Sequence, residues 1–166
     1  NVLFDGENTT TMFNCGFQTG MQYVAFYGIT WARGDGIYNT VSLAYANHIK
    51  FQRCGAMHDS PDGSAIAFHT CSYVLLEDSY LFGQYFYGIN PYHCDHIVLR
   101  RVVGRLDRSS GAWAAVFAVY GSSDVEVQNC IAIDTDQTSF YNVTSEAVYG
   151  FYNPNHSFFT YNAHVG

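Results

Sequence analysis

Two groups of residues in this sequence carry the chemistry that a binding or active site would need. The first is a set of carboxylates, Asp59, Asp107, Asp134 and Asp136, with Arg100, Arg101 and Arg105 close by in the chain. Carboxylate oxygens in a row are ligands for a hard cation such as Ca²⁺, and Asp107, Asp134 and Asp136 are the candidate metal residues. An Asp where a strand ends also makes a turn, by hydrogen bonding to nearby backbone. The second group is two columns of rings. One holds His69, Tyr92, Tyr120 and Tyr152, and the other holds Tyr23, His48, Tyr73, His96 and His156. Aromatic faces at repeat intervals can stack on sugar rings or bury against a partner protein, and they can equally pack on one another along a sheet. The alternation of His with Tyr in the second column suits stacking better than metal ligation. The five cysteines, at 15, 54, 71, 94 and 130, include no Cys-x-x-Cys pair and read as small core residues. Cys71 and Cys94 fall at equivalent points of adjacent repeats. A disulfide between stacked side chains is strained there, so unbonded stacking is expected.

The composition limits what can position these groups. A chain of 166 residues fits one folding unit, and it is 48% hydrophobic but only 13% charged, against about 25% charged in an average domain. Fourteen Tyr, thirteen Phe and two Trp favour strands over helices and rule against disorder. The net charge of -7, with Lys50 the single lysine, repels a phosphate backbone, so nucleic acid is not an expected partner. No apolar run approaches the roughly 18 residues of a membrane span.

A repeat organises the chain. Its copies start at Gln22, Asn47, Ser72, Asp95, Ser123 and Asn155, with spacings of 25, 25, 23, 28 and 32. The third and fifth residues of each copy point the same way from a strand, because side chains alternate with a period of two. Those columns are Val24, Ile49, Val74, Ile97, Val125, Ser157 and Phe26, Phe51, Leu76, Leu99, Val127, Phe159; Ser157 alone is polar. A second inward strand is expected six and four residues before each start: Val41 and Leu43, Ile66 and Phe68, Ile89 and Pro91, Phe117 and Val119, Tyr149 and Phe151. A third begins with Ile29, Cys54, Ser79, Val102, Cys130 and Asn162. Loops of varying length are expected after the third strand, at 59–63, 106–114 and 134–146. Two features fit badly: Pro91 on an inward column removes a ladder donor, and Gly16 and Gln18 stand where the first coil should have apolar residues.

One coil cannot bury its own inner face, whereas coils stacked about 4.8 Å apart share a core and satisfy each other's backbone. The reading is therefore an all-β, right-handed parallel β-helix solenoid of about six coils with three short strands each. Residues 1–166 are expected to form a single, uncapped β-helix domain, a segment of a longer chain or a filament subunit. The opening Phe4-Asp5-Gly6 and the later Gly28-Ile29-Thr30 resemble phrases common in the pectate-lyase-like superfamily of right-handed β-helices.

That resemblance implies secreted proteins that act on acidic polysaccharides, by lyase chemistry with Ca²⁺ and a basic residue or by hydrolysis between carboxylates. The Asn-Thr-Asp, Asp-Asp, Gly-His-Gly and Arg-Ile-Lys phrases of polygalacturonases are absent, which argues against hydrolysis. A lyase would place Asp107, Asp134 and Asp136 on Ca²⁺ and use Arg101 or Arg105 to take the proton beside a uronate carboxyl. The leading expectation is an extracellular or cell-surface β-helix, structural or carbohydrate-contacting, as in an adhesin, spike or filament. Its partners would be a polysaccharide, through His69, Tyr92, Tyr120 and Tyr152, or further copies of itself through open coil ends. No cofactor is required by this reading, and Ca²⁺ belongs only to the lyase alternative.

Overall fold

The computed structural model describes the backbone of residues 2–13, 19–32, 39–108, 114–134, 138–144, 148–149, 158–160 and 163–165, and the side chains of 19–32, 39–107 and 114–133. The chain opens with β1 (Val2–Phe13) and β2 (Gln22–Ala32). Four turns of three strands follow: β3 (Val41–Ala44), β4 (Asn47–Gln52), β5 (Gly55–Asp59); β6 (Ser64–His69), β7 (Ser72–Glu77), β8 (Tyr80–Gln84); β9 (Tyr87–Tyr92), β10 (Asp95–Arg100), β11 (Val103–Arg108); and β12 (Ala115–Tyr120), β13 (Ser123–Gln128), β14 (Ile131–Asp134). Then come β15 (Thr138–Thr144), β16 (Val148–Tyr149), β17 (Phe158–Thr160) and β18 (Ala163–Val165). Among the described residues there is no helix, and so none long and apolar enough to cross a membrane.

The result is an all-β parallel solenoid of about four full turns, where the repeat count suggested six. All six repeat starts do begin or precede strands of one face, in the order β17-β13-β10-β7-β4-β2. The outermost two, β17 and β2, stand at the ends of that order. The registers follow the repeat spacings: Val24 lies over Ile49, Ile49 over Val74, Ile97 over Val74 and Val125, and Val127 over Phe159. A second face carries the end of β2 with β5, β8, β11, β14 and β18, and a third carries β3, β6, β9, β12 and β15.

The expected inward columns form the core. Val24, Ile49, Val74, Ile97 and Val125 are buried, as are Phe26, Phe51, Leu76, Leu99 and Val127. Phe51 stacks on Phe26 at 5.0 Å and meets Trp31 edge-on at 5.7 Å. Cys54, Cys71, Cys94 and Cys130 are buried. Cys71 N–H donates to Cys94 Sγ at 3.3 Å, and the two stacked thiols form no disulfide with each other, as expected.

Two corners of every full turn are two residues long, and each is turned through the left-handed region. Tyr45, Thr70, His93 and Gly121 have φ between 51° and 56°, and Arg53, Asp78, Arg101 and Asn129 between 50° and 53°. The second residue of the first five copies is left-handed as well: Tyr23, His48, Tyr73, His96 and Asp124, with φ of 49° to 55°. This conformation costs a non-glycine residue about 1–2 kcal/mol.

The misfit at Pro91 is visible. Asn90 and Pro91 drop out of the β9–β12 register; the Pro91 carbonyl accepts from Ser122 Oγ at 3.1 Å, as the Phe68 carbonyl one coil earlier accepts from Cys94 Sγ. The other expected misfit, at Gly16 and Gln18, lies outside the described residues. One expectation is overturned: Phe117 pairs with Phe140, not Tyr149, so β15 occupies what looked like a loop. Tyr149 instead pairs antiparallel with Val143; Phe151 lies outside the described residues.

Candidate functional site

The left-handed column after the repeat start places Tyr23, His48, Tyr73 and His96 outward along the axis. Their rings form a continuous ladder, with centroids 4.6, 4.7 and 4.6 Å apart and interplanar angles of 21° to 26°. Tyr23 is 51% exposed and Tyr73 48%. Because the ring faces lie on each other, the ladder presents ring edges, hydroxyls and ring nitrogens to solvent. Among the described residues the rung after His96 is Asp124, and His156 lies outside them.

Beside the ladder, the outward side chains of β7, β10 and β13 frame an open groove of about 580 Å³. Leu75 and Val98 form an apolar floor, Tyr73 and His96 a wall, and Asp124 and Glu126 contribute carboxylates. Sites of a few hundred Å³ with an apolar floor and a few polar groups suit a small ligand or one segment of a longer one.

The other end of these strands is basic. Glu77, only 4% exposed, is met by Lys50 at 3.1 Å, Arg100 at 2.6 Å and Arg101 at 3.2 Å. The hydrogen bond from Arg100 holds the Glu77 carboxyl below the ordinary carboxylate range, with Lys50 adding to the effect. Arg101 also makes two bonds to Asp78, at 2.5 and 2.9 Å, which hold that carboxyl low too.

Of the residues singled out in the sequence, Arg101 thus sits in an ion-pair network, and Arg105 bonds Asp107 at 2.7 Å while lying over the Phe82 ring. Both guanidinium groups are pushed to higher pKa by these carboxylates. Asp59 and Asp107 are not neighbours: Gln84 pairs with Asp59 on one side and Arg108 on the other, so a coil separates them. Asp134 ends β14 beside Leu106 in the ladder, and Asp136 and Tyr152 lie outside the described residues. His69, Tyr92 and Tyr120 come together, with ring centroids 5.7 and 5.4 Å apart, packed largely on one another. Burial lowers the His69 pKa.

The groove residues Leu75, Val98, Asp124 and Glu126 were not evident as a site. The available signal was the outward fourth position of the repeat, where Leu75 and Val98 stand on a face expected to be polar. No protein-family model matches the chain, and no curated protein is significantly similar to it.

Proposed function

We propose that this chain is part of an extracellular β-helix of the pectate-lyase-like kind, structural or carbohydrate-contacting as in an adhesin, spike or filament, that holds a hydroxyl-rich glycan along the ring ladder. The groove beside Tyr73 and His96 is the observation that carries the reading: its Leu75 and Val98 floor suits the apolar face of a sugar ring. Tyr and His edges repeated every coil, with the Asp124 and Glu126 carboxylates, offer hydrogen-bond partners to hydroxyl groups. Those same carboxylates repel a uronate, which favours a neutral polymer over an acidic one.

The alternative, a calcium-dependent lyase acting on uronate polymers, is less well supported. It needs carboxylates open to a cation and a base able to take a proton. Asp107 is instead paired with Arg105, and Arg101 with Asp78, and such pairing raises the arginine pKa rather than lowering it. Calorimetric titration against a panel of neutral and uronate polysaccharides, with product absorbance followed in parallel, separates the two. Binding of a neutral polymer without cleavage is the expected result. Calcium-dependent release of unsaturated product would establish the lyase, and the absence of any binding would remove the carbohydrate reading.

A further inference from the structure

We infer that Asp95, His96 and Asp124 form a binding site for a divalent first-row transition cation, with Zn²⁺ the best match. One ligand atom from each of the three lies within 4.8 Å of the others. Tetrahedral bonds of the usual Zn–N and Zn–O lengths put ligand atoms about 3.3 Å apart, so side-chain rotation brings these groups into range without moving backbone.

The solenoid itself sets the arrangement. Asp95 pairs with Ser123 in register, which makes His96 and Asp124 neighbours in adjacent coils. Backbone bonds fix both coils, including Ser123 N–H to the Cys94 carbonyl at 2.9 Å. His96 stacks on Tyr73 on the side of the preceding coil, and on the next coil the rung is Asp124 rather than a ring.

No other described coil offers this set. The equivalent His48 bonds Asn47, a neutral amide, and its neighbours in the column are Tyr23 and Tyr73. His96 bonds Asp95 in the same way, but there the partner is a carboxylate. Metal binding would replace that hydrogen bond with two coordination bonds.

The donor types select the ion. A site with one imidazole nitrogen and two carboxylates is poor for Ca²⁺, which takes more ligands and prefers oxygen alone. Zn²⁺ takes both donor types and commonly keeps a fourth position for water when the protein supplies three. His96 and Asp124 also line the groove, so a bound ion would form part of its wall. The inference stands apart from the glycan reading, because no sugar is needed to test it.

The intact protein, stripped with chelator, would be titrated with ZnCl₂ by calorimetry and with Co²⁺ by visible absorption. One equivalent of each is expected, with a rise in melting temperature on Zn²⁺ addition. His96→Asn and Asp124→Asn should each weaken binding at least about tenfold, since even outer-sphere losses commonly cost that much. Asparagine tolerates the left-handed backbone at both positions, and circular dichroism would verify folding. His48→Asn should retain the parent affinity. No uptake of Zn²⁺, uptake indifferent to the His96 and Asp124 changes, or an equal loss with His48→Asn would each overturn the inference.

Discussion

Replacing Tyr73 with glycine separates a ring that binds from a ring that merely packs. Tyr73 has φ of 55°, and a glycine there recovers about 1–2 kcal/mol of left-handed strain. Against that stand about 0.5–1 kcal/mol of added backbone entropy and the loss of two ring contacts, to His48 at 4.7 Å and His96 at 4.6 Å. Aromatic pairs contribute about 0.5–1.5 kcal/mol each, and half-exposed ones such as these lie near the lower end. The half-buried ring also gives up the apolar area it withdraws from water, about 1–2 kcal/mol, so the variant should lie about 1–2 kcal/mol below the parent, a melting shift of about 2–8 °C. The groove wall is lost, however, and glycan affinity should fall about tenfold, the equivalent of about 1.4 kcal/mol. Thermal melts and calorimetric titration with the best neutral polysaccharide read the two quantities. A destabilisation above about 3 kcal/mol would mean that the ladder's role is packing, and unchanged affinity would refute the part assigned to Tyr73.

Phe51→Ala should cost about 3–5 kcal/mol in chemical denaturation, because this fully buried ring lies between Phe26, Trp31 and Phe68. Gly83→Ala should destabilise by about 2 kcal/mol or more, since φ is 117° and an added Cβ would lie 2.0 Å from the His58 carbonyl oxygen; a melting temperature equal to the parent's would show that β8 can shift to make room. Stability should fall in acid: Glu77 and Asp78 are depressed in the fold, so their contribution is present above the ordinary carboxylate pKa of about 4 and is lost as pH drops through the lower folded values. Melting temperatures measured between neutral pH and about 2.5 should show that acid loss shrinking in Glu77→Gln.

The stacked core was legible because its signal is two-fold redundant. Val24 with Phe26, Ile49 with Phe51 and Ile97 with Leu99 repeat in the same alternation at nearly constant spacing, and a one-residue slip would turn all of them outward. The prediction failed at β15, where a fixed offset back from Asn155 pointed to Tyr149. That offset holds only while two residues link the third-face strand to the next one, and between β15 and β17 the link is far longer. The left-handed columns were hidden for a different reason: Tyr, Thr and Arg rarely adopt positive φ, so at Tyr45, Arg53 and Thr70 nothing local announces it. Ring-on-ring packing was one of the readings left open for the ring columns; the direction of the ring faces, toward each other rather than toward a ligand, depends on coil spacing that composition does not specify. Asp95 read only as a repeat start, because its proximity to Asp124 spans two coils.

In the four full turns the two short corners keep a constant length, which confines variation there to the third corner, after Asp59, Gln84, Arg108 and Asp134. A lineage, or an engineer, can thus lengthen the segment between β5 and β6 or between β11 and β12 and leave the register of every neighbouring strand alone. One edge of the solenoid is a display platform whose outline can diverge freely, while the ladder and groove at another corner keep their shape.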